Sequence, residues 1–290
     1  MTERDKIQRF IFVDGPVRGE MVHLDATWRA VLERHPYPEP IRNLLGQMMV
    51  SAVLLSATLK YDGRMIMQIH GNGPVKLLVV ECTSDRTLRG LAQWEGDLSA
   101  PDVPLLDAKN GRLVITVDPA HSHQRYQSVV PLEGATIARA LEAYLQRSEQ
   151  IETRLWVTSD AETAAGMLIQ KLPGQSSDDD IWDRAVQIAN TVGDHELLTL
   201  PFEDLLYRLY HDEDVTLFDA EPVSFRCTCS RDRVANMLRS LGRQEVTEIL
   251  AEVGRVSVHC EFCNRAYDFD HIDAEAVFGA PAPDTSSSRH

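Results

Sequence analysis

The sequence predicts an α+β protein: an N-terminal domain of largely antiparallel sheet with a buried helix, an acidic helical linker, and a small C-terminal αα/ββ zinc domain. Three observations predict it. Strand-like segments follow one another with few helices between them, which favours antiparallel pairing over a βαβ arrangement. A segment from Gly174 to Pro222 holds thirteen Asp and Glu against two Arg, yet carries apolar residues at helical spacing. Four of the five cysteines gather near the C-terminus as C-x-C and C-x-x-C, with thirty residues between the two pairs. The chain of 290 residues suggests about two domains, and its 43% hydrophobic content is enough for a sizeable core.

The core domain is expected over residues 1–173. "KIQRFIFV" reads as a strand and "DGPVRG" as a turn. "DATWRAVLERH" reads as a helix with Asp25 as N-cap and Trp28, Val31 and Leu32 on its apolar face. "PIRNLLGQMMVSAVLLSATL" begins with Pro40, a residue suited to the first turn, and is apolar around most of its circumference, so it belongs inside the core. Strands follow, with Met65, Met67 and Ile69 on one face, then Val75, Leu77 and Val79, then Leu113, Ile115 and Val117. "GNGP" (Gly71 to Pro74) is a hairpin turn between the first two rather than a phosphate loop. "YQSVVP" is a further strand, and "GATIARALEAYLQRSEQ" a helix with Ile137, Leu141, Tyr144 and Leu145 as its stripe. "TRLWVTSD" and "AAGMLIQKLP" read as closing strands.

The linker is expected over residues 174–222, opening on the boundary stretch "GQSSDDD". Ile181, Trp182, Ala185, Ile188, Ala189 and Val192 form one helical stripe, ended by Gly193. Phe202, Leu205, Leu206, Leu209 and Tyr210 form a second behind Pro201. Like charges repel in a compact segment, and helices this short are marginal alone in water. The segment is therefore either a conditional element, ordered only while its stripes are covered, or an acidic hairpin packed permanently on the core.

The C-terminal domain is expected over residues 223–278, and the Pro, Ala and Ser-rich tail 279–290 is expected to be disordered. Ser230 caps a helix with Val234, Met237, Leu238 and Leu241 on its apolar face; Gly242 ends it. Val246, Ile249, Leu250 and Val253 mark a second helix ending at Gly254. Val256 and Val258 alternate into the C-x-x-C, and Tyr267 and Phe269 alternate out of it, which makes a hairpin. In an extended segment residues two apart face one side, so Cys227 and Cys229 can reach one ion. Cys260 and Cys263 resemble a zinc knuckle, with Asn264 tolerant of a left-handed turn. Four thiolates satisfy the tetrahedral preference of a closed structural Zn2+ site. A core this small is weak alone, and metal binding would supply roughly 10–16 kcal/mol of apparent free energy. His259 and His271 lie nearby, but four cysteines already fill such a site. Cys82 has no partner in sequence and reads as a passive free thiol. Thiolates held by zinc are already deprotonated and open to oxidants. A disulfide between Cys227 and Cys229 would close a very small, strained ring of the labile kind. Such a site can act as a switch.

These residues resemble the redox-regulated chaperone family heat shock protein 33. "CTCSRDR" and "HCEFCNRAY" look like its zinc-binding motifs, and "GNGP", "YLQRSEQI", "GMLIQKLP" and "LLTLPFEDLLYRLYHDEDV" like its other signatures. The resemblance covers nearly the whole chain. It implies a reduced, zinc-bound, inactive form whose ligands are Cys227, Cys229, Cys260 and Cys263. Oxidation would form the Cys227–Cys229 and Cys260–Cys263 disulfides, release zinc, unfold the linker and produce an ATP-independent holdase. It also implies a homodimer when oxidised, unfolding proteins as clients, and ATP-dependent foldases downstream. It favours the conditional linker over the permanent hairpin.

Other functions fit less well. A net charge of −15 repels phosphate backbones and acidic membrane surfaces, so neither nucleic acid nor membrane is an expected partner. Arg226, Arg231, Arg233, Arg239 and Arg243 make a basic run without a stacking platform, better used against the acidic linker. "CEFC" lies between two strands rather than at the strand-to-helix turn of a thiol oxidoreductase, and no nucleotide or metalloprotease motif occurs, so no enzyme is expected. The longest apolar run, Met48 to Leu59, is too short to span a bilayer. The charged start "MTERDKIQRF" lacks a signal-peptide core. The expected location is the cytoplasm.

Overall fold

Alternation decides which side of each N-terminal strand is covered: both sides in one sheet, one side in strands such as Gly63–His70 and Tyr126–Pro131 of the other. A computed structural model describes residues 4–279 except 97, 99–103, 107–110, 123, 133–135, 175–177 and 179. The boundary stretch around 175–179 and the tail beyond 279 thus fall largely outside the described residues. The chain divides into two compact units, 1–226 and 227–290.

The first unit runs β1 (Lys6–Phe12), β2 (Val17–Leu24), α1 (Ala26–Leu32), α2 (Glu39–Thr58), β3 (Gly63–His70), β4 (Val75–Thr83), β5 (Thr87–Trp94), β6 (Arg112–Pro119), β7 (Tyr126–Pro131) and α3 (Ile137–Tyr144). A single π-helical turn, Leu145–Glu149, follows α3. Then come β8 (Thr153–Ser159), β9 (Ala164–Lys171), α4 (Ile181–Ala189), α5 (Asp194–Thr199), α6 (Phe202–Tyr210), β10 (Val215–Leu217), β11 (Glu221–Pro222) and β12 (Ser224–Phe225). One sheet has the order β10-β1-β2-β9-β8, with β11 also on β1; the other has β12-β5-β4-β3-β6-β7. Every pairing is antiparallel except β12 with β5.

Helix α2 is buried from Ile41 to Ser56 along most of its length, in one core cluster with residues of both sheets. This explains why its sequence has no polar face. Odd and even residues of the first sheet part cleanly. Val22, Leu24, Ala164 and Leu168 join the α2 core, whereas Phe10, Phe12, Val17, Met21, Ala165, Met167 and Ile169 form the opposite face. That second face is covered by α4, α5 and α6 through Ile181, Trp182, Ala185, Leu197, Leu198, Phe202, Leu205 and Leu209. The continuous apolar run of β9 follows from this double cover.

Three local expectations need correction. Val75, Leu77 and Val79 do not share a face: a register shift between Val75 and Leu77 turns the strand, and Val75, Leu78, Val80 and Cys82 face the core. Asp25 does not cap α1 with its side chain. The Asp5 carboxylate does so instead, accepting from the N–H groups of Asp25 (2.9 Å), Ala26 (3.0 Å) and Thr27 (2.9 Å). "DGPVRG" is a turn only in part, since Val17 already belongs to β2.

The second unit comprises α7 (Arg231–Leu241), α8 (Arg243–Val253), the hairpin β13 (Val256–His259) and β14 (Ala266–Phe269), and α9 (His271–Gly279). Its core holds Ala235, Leu238, Val246, Leu250, Val256, Tyr267, Phe269, Ala274 and Val277. The predicted apolar faces are narrower than expected. Met237, Leu241 and Val253 are 48%, 52% and 65% exposed, because α7, α8 and α9 pack mainly on one another and the only sheet among the unit's described residues is a small hairpin beside α8. Helix α9 is a third helix that the αα/ββ expectation did not include. Asp270 and Asp273 cap its start reciprocally, each side chain accepting from the other's backbone N–H (2.8 and 3.2 Å).

Candidate metal centre

Two turns bring the four cysteines together. After β12 the chain runs extended, and Ser230 ends that stretch by capping α7, its Oγ accepting from the N–H of Arg233 (3.2 Å). The Arg233 guanidinium returns to Thr228 Oγ1 (2.7 Å), pinning the residue between Cys227 and Cys229. The other pair sits in the β13–β14 turn. There the N–H of Asn264 donates to the Cys260 carbonyl (2.7 Å), that of Cys260 to the Arg265 carbonyl (3.0 Å), and Asn264 takes φ 55°. Asparagine is one of the few residues that adopts that conformation readily.

The four Sγ atoms lie within 4.8 Å of one another. Cys227 is 3.7 Å from Cys260, and Cys229 is 3.4 Å from Cys263. A tetrahedral ion with sulfur ligands at 2.3 Å sets its sulfurs about 3.8 Å apart. The donor set and its spacing therefore fit such an ion. All four side chains are partly buried, and none is paired in a disulfide.

Donors surround the sulfurs. Backbone N–H groups of Phe262 and Cys263 reach Cys260, and that of Arg265 reaches Cys263. On the C-x-C side the Tyr267 hydroxyl donates to Cys229 Sγ (3.1 Å). Burial opposes ionisation of Cys229, but hydrogen bonds from Tyr267 and the other cysteines outweigh it and pull its pKa down to about 7. Burial pushes Cys263 up to about 12. Packed sulfurs cannot all ionise without a cation among them, so the arrangement favours one thiolate in its absence.

His259 and His271 stay outside the cluster: His259 is exposed on β13, and His271 opens α9. Cys82 lies far from the centre in sequence and structure role, fully buried in the α2 core, where burial lifts its pKa to about 11. Four of the five arginines of the basic run, Arg231, Arg233, Arg239 and Arg243, have local partners. Arg231 pairs with Asp273 (2.8 Å) and lies over the Phe269 ring, Arg239 donates to the Val277 carbonyl (2.7 Å), and Arg243 meets Glu275 (3.4 Å). Sequence reasoning placed Tyr267 only as a residue of the hairpin strand leaving the C-x-x-C. Its role beside the sulfur has no local signal, since it depends on how β14 crosses the C-x-C turn.

A two-sheet unit and a compact four-thiol unit define a class of protein, and comparison with known proteins identifies it as a chaperone class rather than an enzyme. The family model described as Hsp33 protein matches residues 5–270. The 33 kDa chaperonin of Methylobacillus flagellatus is 48% identical over 277 residues, covering 94% of each chain. That of Chromobacterium violaceum is 47% identical, over 96% of this chain and 95% of its own. That of Nitrosococcus oceani is 46% identical over the full length of both. The crystal structure of the 33 kDa chaperonin from Thermotoga maritima shares the fold with a TM-score of 0.81 at 22% identity, covering 95% of this chain and 98% of that one. The chain belongs to the Hsp33 protein family. Among the described residues no helix is long and apolar enough to cross a membrane.

Proposed function

We propose that the protein is a redox-regulated, ATP-independent holdase whose reduced form is inactive and holds one Zn2+ through Cys227, Cys229, Cys260 and Cys263. Bound zinc would fix four thiolates and supply folding energy to a unit with a small core. One peroxide per cysteine pair would convert two thiolates into one disulfide, Cys227–Cys229 and Cys260–Cys263, with both oxygens leaving as water after protonation. Disulfide sulfurs are poor ligands, so the unit loses its stabiliser. In this reading the chain has a core domain (1–173), a metastable linker (174–222), a switch domain (223–278) and a disordered tail (279–290).

The observation that carries the reading is the cover on the first sheet. Helices α4–α6 belong to a segment, 174–222, of net charge −11, and hide Phe10, Phe12, Met21, Met167 and Ile169. The chain leaving this segment runs straight into β12, whose last residue, Phe225, lies two positions before Cys227. A short parallel pairing of Ser224 and Phe225 with Thr87 and Leu88 holds that end. Unfolding of the switch domain would leave only this small anchor at the end of the linker, and loss of the cover would expose apolar surface on both sheet and linker. Unfolding client proteins would bind there, while the acidic charge keeps complexes dispersed. The oxidised form would pair as a homodimer and hand clients to ATP-dependent foldases on reduction. A reducing compartment, the cytoplasm, suits a switch that rests in its thiol state.

The test is light scattering from a thermally unfolding client with reduced and with peroxide-treated protein. Suppression of aggregation after peroxide alone supports the proposal. Equal suppression in both states, or none in either, sinks it.

A further inference from the structure

The Tyr267 ring is 5% exposed in the core of the second unit, opposite Val258 in the hairpin. A phenylalanine would fill that space equally well. The hydroxyl therefore has to earn its burial through a partner, and that partner is Cys229 Sγ at 3.1 Å. The donors to Cys260 and Cys263 come from the backbone of their own turn. Tyr267 is a side chain brought by a different element, so this contact depends on one replaceable residue. A hydrogen bond to a thiolate draws density from the sulfur lone pair that must attack an oxidant.

Building on the redox reading, we propose that Tyr267 is a positioning residue that restrains oxidation of Cys229 and so sets the oxidant level at which the switch opens. The restrained step is attack by the Cys229 sulfur lone pair on one oxygen of hydrogen peroxide. An S–O bond forms, the O–O bond breaks, and the departing oxygen takes a proton and leaves as water. Cys227 then attacks that sulfur, forming the S–S bond and expelling the second oxygen as hydroxide. Sulfur supplies both electron pairs, and peroxide is the oxidant. Without the hydroxyl, the first step meets a more nucleophilic sulfur.

The experiment compares the full-length zinc-loaded chain, Tyr267→Phe, and a chain with 3-fluorotyrosine, a stronger donor, at position 267. Thiol loss at Cys229 is followed by alkylation and mass spectrometry during hydrogen peroxide exposure, and zinc release by a chromogenic chelator. Tyr267→Phe is expected to react about tenfold faster, the rate equivalent of one lost hydrogen bond, and the fluorinated chain more slowly than wild type. Equal rates in the three chains overturn the proposal. Replacing zinc with Co2+ gives a readout that packing alone would not move. The sulfur-to-cobalt charge-transfer band should shift in Tyr267→Phe, and an unshifted band overturns the hydrogen bond itself. A wild-type chain that keeps its thiols and zinc in peroxide would instead overturn the redox reading, while the cobalt band still reports on Tyr267.

Discussion

Phe10 lies flat over Gly19, its partner across β1 and β2, so closely that a Cβ on Gly19 would fall 2.0 Å from the ring. The missing side chain makes room for an aromatic ring at the centre of the face that α4–α6 cover. Phe10 also neighbours Phe12 and Tyr210, at ring separations of 6.2 and 6.3 Å. Gly19→Ala must therefore push Phe10 into the helices above it. Overpacking of this kind costs typically about 1–3 kcal/mol. The expected result is faster proteolysis within 174–222 in the reduced protein, with the zinc content of the second unit unchanged. Wild-type protease resistance would show that the face tolerates the ring's displacement.

His23 makes cover and core pH-dependent. It is 2% exposed, meets the Phe202 ring at a 45° tilt with centroids 4.5 Å apart, and its Nε2 donates to the Leu197 carbonyl at 2.7 Å. Burial lowers its pKa to about 4, with Arg4 and Lys6 adding to the fall and the Leu197 carbonyl and Asp25 opposing it. The unfolded value is about 6.5. The contribution is thus fully present above pH 6.5 and is lost as pH falls toward 4, by up to about 3 kcal/mol. Hydrogen exchange at α5 and α6 should accelerate over that window in the reduced protein. In His23→Gln the acceleration over the same window should be much smaller.

Asp5 ties the first strand to α1 through three N–H groups. Asp5→Ala leaves those donors without their partner and is expected to lower stability by about 1–2 kcal/mol, the upper range for a helix cap. Asp5→Asn keeps an acceptor and should lose less. Denaturant midpoints of the two variants measure the difference.

Withdrawal of the proposed zinc separates the two units. A chelator under reducing conditions should unfold 227–279, with loss of the helical signal of α7–α9, while the first unit keeps its cooperative transition. Cys82 provides an internal control. Buried in the α2 core, it should resist alkylation until that first unit unfolds, whereas Cys227, Cys229, Cys260 and Cys263 become reactive as soon as metal is removed. Early labelling of Cys82 would mean that the core opens together with the second unit.

The four cysteines, the buried helix α2 and the two apolar stripes of the acidic segment are written in residue type and spacing. These are short-range patterns, so they were legible without coordinates. Longer-range choices were not. The turn of β4 after Val75 comes from a bulge in its pairing with β5. The cap on α1 comes from Asp5, twenty residues upstream of the helix's own N-cap position. The Tyr267 contact with Cys229 spans 38 positions. Helix α9 had a readable sign in Asp270 and Asp273, but its place is settled by packing of Ala274 and Val277 on the small core.

By itself, then, the sequence determined which groups could bind a cation and which surfaces needed cover, because thiol chemistry and apolar periodicity are properties of the chain. Only tertiary structure decided what covers what: α4–α6 lie on the outer face of the first sheet, and a tyrosine hydroxyl rests against one sulfur. Those outcomes depend on strand register and on contacts between residues far apart in the chain, where local pattern carries no information.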